Sequence, residues 1–198
     1  HIATGEPGST AASTLPLQDI LVTDGVFTAF GPGLAQQYEA QGGDLAAIEV
    51  VDLGGKLVCP PFCDTHLHLD YVFTARKPGA VNESGTLFEG IQRWSETKSD
   101  LTVDEIKQRA KIGIKKEMLH GVQLIRSHAD VTDPNLTSLK ALLELKEELK
   151  DTVTLQIVSF PQEGMYSYEG PHGESGAELV EEGLKMGADC VGGIPHFE

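Results

Sequence analysis

Cysteine is scarce in this chain of 198 residues. There are only Cys59, Cys63 and Cys190, an odd number that suits a reducing compartment better than a disulfide framework. Basic residues are also few. Lys and Arg total 15 against 30 Asp and Glu, which leaves a formal net charge of -15. That balance denies the chain the basic face that nucleic acid or an anionic membrane surface would require. No run of roughly 18 apolar residues occurs, so no helical membrane span is expected. The opening His1-Ile2-Ala3-Thr4-Gly5 has neither a basic region nor an apolar one, so no secretory leader is expected.

What remains is sufficient for a globular protein. Apolar residues make up 40% of the chain and the mean hydropathy is -0.14. The length fits one large domain, or one domain and part of another.

The most informative stretch is Pro60-Pro61-Phe62-Cys63-Asp64-Thr65-His66-Leu67-His68-Leu69-Asp70, which follows an apolar run from Lys56 to Cys59. On an extended strand, alternate side chains share a face, which places His66 and His68 roughly 6.5–7 Å apart on the same side. Two imidazoles so placed can close on one metal ion. A structural zinc site that also used Cys59 and Cys63 would break the strand on which this reading depends.

Residues 1–56 read as short β runs broken by glycine. Asp24-Gly25 between two apolar runs signals a hairpin over 19–30. Gln36 to Asp44 reads as a polar loop. Ile48–Asp52 and Lys56–Cys59 read as two further strands around Gly54-Gly55, and 5–8 with the adjoining Ser/Thr run as an exposed loop.

From residue 57 strands alternate with helices. Leu87 to Glu96 has helical spacing, and Thr102-Val103-Asp104-Glu105 is a capping box opening a helix that stops at Gly121. Gln123–His128, Val153–Phe160 and Cys190–Ile194 read as strands. Leu136–Lys150 reads as an amphipathic helix with Leu139, Leu142, Leu143 and Leu145 inward, and Ala177–Met186 as a helix closed by Gly187. His120, at a helix C-terminus, suits the helix dipole.

That alternation predicts a parallel α/β sheet with crossover helices. Polar residues gather just after the strands (His66/His68, His128/Asp130, Gln162/Glu163, His196), as in a (β/α)8 TIM barrel, whose active site lies at the strand C-termini. An open doubly wound sheet would want a Gly-rich phosphate loop after its first strand, and none is there. Four βα units are half a barrel, and the chain stops directly after a strand, so it reads as part of a longer protein. The expected organisation is a partial β-sandwich domain over 1–56 and the first half of a TIM barrel over 57–198.

With the β module ahead of it, VCPPFCDTHLHLD followed by SGTLFEGIQRW, SFPQEG and ADCVGGIPHFE resembles the cytosine deaminases of the amidohydrolase superfamily, over about residues 17–198. The resemblance implies metal-dependent hydrolytic deamination of cytosine to uracil and ammonia, with one divalent ion, iron or zinc. It implies His66 and His68 as metal ligands, Gln162 as the amide that reads the pyrimidine edge, and Leu87 as an apolar residue of the pocket. An amide offers both a donor and an acceptor to such an edge. The remaining ligands and the catalytic acid/base are expected beyond Glu198. Binuclear relatives carry a bridging lysine at the end of the fourth strand. Gly192-Gly193-Ile194-Pro195-His196 has none, which favours a single metal. His128, Asp130 and His196 stand as candidates for supporting positions, and Glu163 is left unassigned. The deaminase class with H-x-E and P-C-x-x-C is excluded: His172-Gly173-Glu174 matches its first half, but no P-C-x-x-C follows.

The implied substrate is a small molecule in a cytoplasmic salvage setting, and the full-length protein is expected to be a homo-oligomer. Two other readings stand beside this one. The first is a sister amidohydrolase acting on isoguanine, creatinine or an aminotriazine, and the second is a non-catalytic half-barrel.

Overall fold

The computed structural model describes residues 17–197, so the loop expected over 5–8 lies outside the described residues. The chain divides into two compact units, His1–Pro60 and Pro61–Glu198.

In the first unit, β1 (Asp19–Thr23) pairs antiparallel with β2 (Val26–Gly31). Asp24 and Gly25 turn the hairpin with φ of 51° and 75°. Positive φ at both central residues gives the twist that a two-residue hairpin needs, and Asp-Gly supplies it at low cost. The polar segment read as a loop contains a helix instead, α1 (Leu34–Ala40). Its first N–H, on Leu34, is capped at 2.8 Å by Asp19 Oδ2, 15 residues upstream. No local pattern announces a cap supplied from another element. The two strands expected over 48–52 and 56–59 do not form, and their only β feature is a single bridge at Val58. Val50 and Val51 lie 63% and 66% exposed. With so little buried, there is little to offset the entropy of ordering them.

The second unit is α/β. Its strands are β3 (Phe62–Leu67), β4 (Val122–Asp130), β5 (Thr154–Phe160) and β6 (Cys190–Val191), all parallel and in sequential order. The segments between them carry α2 (Leu87–Lys98) and α3 (Val103–Leu119), then α4 (Thr137–Glu148), then α5 (Gly176–Met186). Sequential parallel order with intervening helices is the pattern of the first half of a (β/α)8 barrel.

Two boundaries depart from expectation. β3 starts after the prolines rather than before them, because proline has no N–H to donate to a ladder. Phe62 is the first residue able to donate, and its N–H bonds the Gly121 carbonyl at 2.9 Å. β6 ends at Val191 rather than Ile194. Gly192 still donates to the Ser159 carbonyl at 3.0 Å, but Pro195 opens a 3₁₀ turn.

Helix ends follow the sequence closely. Both members of the Thr102/Glu105 capping box are formed, and Ser175 with Glu178 makes a second box on α5. Gly187 closes α5 in the left-handed region. The core lies between the sheet and α3 and α4, where Ile106, Ile125, Leu139, Leu142, Leu145 and Ile157 are fully buried. Leu143 is only partly buried. Among the described residues, no helix is long and apolar enough to cross a membrane.

Candidate functional site

The C-terminal ends of β3, β4 and β5 gather three histidines. His66 lies in β3, His68 directly after it, and His128 near the end of β4. A register irregularity between Asp64 and Leu67 turns the strand here, and the His66 and His68 rings come to 5.3 Å between centroids. His128 stacks on His66 at 4.1 Å and lies 5.4 Å from His68. Phe160, the last residue of β5, stands edge-on to His68 at 5.6 Å and to His128 at 5.4 Å, forming an apolar side wall.

The electrostatics favour the uncharged form of His68 and His128. Burial, then the neighbouring His128 and His66, lowers the His68 pKa to about 4. Burial and His66 also lower that of His128. Neutral imidazole is the form that binds metal. The Nδ1 atoms of His68 and His128 are buried without a hydrogen-bond partner, and an empty buried lone pair or N–H is costly unless something binds there. The donor chemistry therefore fits a divalent ion in part. Among the described residues, no group of three His, Cys, Asp or Glu side chains is arranged to hold one.

His68 is held from behind. Tyr71 stacks on it at 4.6 Å, and Trp94 of α2 packs on Tyr71 at 4.7 Å. Leu69 N–H donates to the buried Ser127 Oγ at 3.0 Å, tying the exit of β3 to β4. Arg109 of α3 donates to the main-chain carbonyls of Asp70 (2.9 Å) and Val72 (3.0 Å), fixing the following turn. The Asp70 carboxyl is fully buried. It accepts N–H bonds from Asp130 at 2.9 Å and Tyr71 at 3.1 Å. Burial still pushes its pKa to about 7, with the Asp130 charge adding to the rise.

A second polar centre joins β4, α2 and the turn after β5. Asp130 Oδ2 accepts from Trp94 Nε1 at 2.7 Å and from Lys98 Nζ at 3.1 Å, while its Oδ1 accepts from the Thr132 hydroxyl and N–H. Lys98 also reaches Glu163 Oε1 at 2.5 Å. Burial acts to lower the Lys98 pKa, but Asp130 and Glu163 outweigh it and leave the ammonium firmly charged.

Gln162, beside Glu163, is 4% exposed, and its Oε1 is buried without a partner. Leu87, the first residue of α2, is 68% exposed. A cavity of about 500 Å³ opens between α2 and the turn after β5, lined by Phe88, Ile91, Ser95 and Glu163 among others but by neither Leu87 nor any of the histidines. His196 sits in the closing 3₁₀ turn, 5.2 Å from the Phe88 ring. His120 caps the end of α3, away from the cluster.

The structure thus brings His66, His68 and His128 into one cluster and leaves Leu87 at the surface. Sequence reasoning did not single out Tyr71, Trp94, Lys98 or Arg109. One signal was present: Lys98 falls on the helical stripe of Ile91 and Trp94, and a charge on an apolar stripe is out of place unless it is paired.

The fold has both solved and curated relatives. The chain is 41% identical to the solved 5-methylcytosine deaminase from Klebsiella pneumoniae liganded with 5-fluorocytosine, at a TM-score of 0.72, covering 91% of this chain and 41% of that one. It is 35% identical over 148 residues to N-isopropylammelide isopropyl amidohydrolase of Pseudomonas sp. (strain ADP), which is 73% of this chain and 36% of that protein. Pterin deaminase of Rhizobium rhizogenes (strain K84 / ATCC BAA-868) is 27% identical over 152 residues, covering 74% and 32%. The chain therefore spans about a third of the length of these curated relatives. Residues 49–198 match the Amidohydrolase family, and with a histidine cluster at the strand ends of a sequential parallel sheet, the chain belongs to that family.

Proposed function

We propose that this chain is the N-terminal part of a metal-dependent deaminase that hydrolyses cytosine, or a close aminopyrimidine, to the corresponding oxo-pyrimidine and ammonia. In this reading residues 1–56 contribute to a small β-sandwich and 57–198 form the first half of the barrel. The observation that carries it is the trio of histidines packed together at the strand ends, with a buried amide whose oxygen has no partner in the turn after β5. The 41% identity to a 5-methylcytosine deaminase over 91% of the chain supports the substrate class.

His66 and His68 would hold one divalent ion, iron or zinc, through imidazole nitrogen, with further ligands drawn from the rest of the protein. When bound, the ion supplies Lewis acidity and lowers the pKa of water for attack on the amino-bearing carbon. His128 stacks on His66 and keeps its ring in place, while Phe160 keeps bulk water from one side of the cluster. Gln162 presents its amide to the substrate edge, where Oε1 accepts a ring or exocyclic N–H. Leu87 and Phe88 supply the apolar side of the pocket once the full-length protein closes over them. Three cysteines without a disulfide fit a reducing cytoplasm.

A second reading has specific support, because the 35% identical relative is named for hydrolysis of N-isopropylammelide. The test compares purified full-length protein on cytosine, 5-methylcytosine and N-isopropylammelide, measuring ammonia and isopropylamine. Ammonia from the pyrimidines alone is the expected result, and turnover of N-isopropylammelide alone selects the second reading. In the same preparation His66→Ala and His68→Ala should each lose bound metal and activity together. A fully metallated, fully active His66→Ala overturns the proposed metal role.

A further inference from the structure

Lys98 ends α2, and its side chain is only 11% exposed. An ammonium has three N–H donors, and all three find acceptors: Asp130 Oδ2 at 3.1 Å, Thr132 Oγ1 at 3.0 Å and Glu163 Oε1 at 2.5 Å. The first two belong to the end of β4 and the residues just after it. The third belongs to the turn leaving β5. Ser95, one turn earlier on α2, donates to the same Glu163 oxygen at 2.8 Å. One short stretch of α2 therefore grips the β5 exit turn through a single carboxylate oxygen.

Such an arrangement is a poor device for stability. Burying an ammonium between two carboxylates loses hydration that the pairing only restores, and apolar residues of similar size would serve as well. What the ion pair adds is direction, since it holds Glu163 at one place relative to β4. The next residue back along the chain is Gln162, buried with its Oε1 unfilled. A buried acceptor left empty calls for an explanation, and a ligand donor that arrives there is one. Within the turn itself, the Gly164 N–H closes back on the Pro161 carbonyl at 3.0 Å. Glu163 is the member of the turn tied to another element by charge.

We infer that Lys98 is a positioning residue for substrate recognition: by clamping Glu163 it fixes the Pro161–Gly164 turn and aims the Gln162 amide at the ligand. This rests on the reading of Gln162 as the amide that contacts the substrate. In this role Lys98 and Glu163 act through Gln162, so their effect appears in binding and not in the chemical step.

The experiment uses the full-length metallated protein with cytosine as the probe. Because Lys98→Met strands the buried Asp130 carboxylate, it is paired with Glu163→Ala and Glu163→Gln, where Glu163 is a quarter exposed. Glu163→Ala should raise KM about 10-fold or more at nearly unchanged kcat, as expected when uniform binding is lost. Glu163→Gln keeps an oxygen acceptor for Ser95 and Lys98, so it should recover most of that loss. Metal content per chain should stay at the wild-type value in both. The deciding measurement is a cycle with Gln162→Ala: in that background Glu163→Ala should raise KM no further. An unchanged KM in Glu163→Ala overturns the inference while leaving the reading of Gln162 intact, and so does an equal rise with Gln162 already removed. If Gln162→Ala itself leaves KM unchanged, the substrate-contact reading fails and takes the inference with it.

Discussion

Gly176 is a glycine because of what lies against it, and replacing it tests whether the turn carrying Gln162 must be held in place. It is the first residue of α5, directly after the Ser175 cap. A Cβ built there would overlap the carbonyl oxygen of Gly164 and come within 3.0 Å of Met165 Cα and 3.1 Å of Gly164 C. All three are main-chain atoms, so no side-chain rotation relieves the overlap. The turn itself is constrained: Gly164 has φ of 103°, and Ala177 N–H holds the Met165 carbonyl at 2.8 Å. Gly176→Ala must therefore push residues 164–165 away from α5 by about 1 Å, and Gln162 moves with them. Overpacking of this kind costs about 1–3 kcal/mol, against which the gain from replacing glycine in a helix is at most about 1 kcal/mol. The net expectation is a loss of about 1–2 kcal/mol, with the protein still folded. A displacement of about 1 Å in a positioning group can lower kcat/KM by about 10²-fold. Denaturant unfolding should show a lower midpoint at unchanged m, and cytosine kinetics on the full-length protein should show the larger, functional loss. Wild-type stability together with wild-type kcat/KM in Gly176→Ala would refute the claim that this contact positions the turn.

Trp94→Phe removes the N–H that bonds Asp130 Oδ2 at 2.7 Å. Because the acceptor is a buried carboxylate, the loss should be about 1.5–3 kcal/mol by equilibrium unfolding; no change in midpoint contradicts it. Trp94 is the only tryptophan of these 198 residues and packs on the tyrosine behind His68, so zinc added to the metal-free full-length protein should give a fluorescence change that is lost in Trp94→Phe and in His68→Ala. Thr102→Ala removes the cap of α3 and should cost about 0.5–2 kcal/mol, read from the shift in denaturant midpoint. Its partner Glu105 has its pKa lowered in the fold by the Thr102 N–H and by Lys77. The stability it contributes is therefore complete above the unfolded carboxylate pKa and disappears as pH falls through the lower folded value. The stability difference between wild type and Glu105→Gln should thus be constant near neutrality and shrink on acidification; a difference that grows in acid would reverse the sign.

Much of this protein was legible because the information is local. The Asp24-Gly25 hairpin, the Thr102/Glu105 box and the glycine closing α5 each depend on a few consecutive residues and their own backbone preferences. The same holds for the nearness of His66 and His68: two residues apart at the end of a strand, their rings come to 5.3 Å between centroids. The alternation of strand and helix likewise announced a parallel sheet before any contact was known. What the sequence left open depends on partners distant along the chain. Asp19 caps α1 from 15 residues away, and a strand needs a neighbour to pair with as well as a propensity: among the described residues, 48–59 make only the bridge at Val58. The prolines moved β3 forward because the ladder needs an N–H that only Phe62 could offer to Gly121. Only the tertiary structure decided that His128 would stack on His66, 62 residues earlier in the sequence numbering of 66 and 128. It also decided that Lys98 would meet Asp130, Thr132 and Glu163 together. Hydrogen bonds and ion pairs of that kind act over a few ångströms in space, and nothing in the spacing of residues along the chain records those distances.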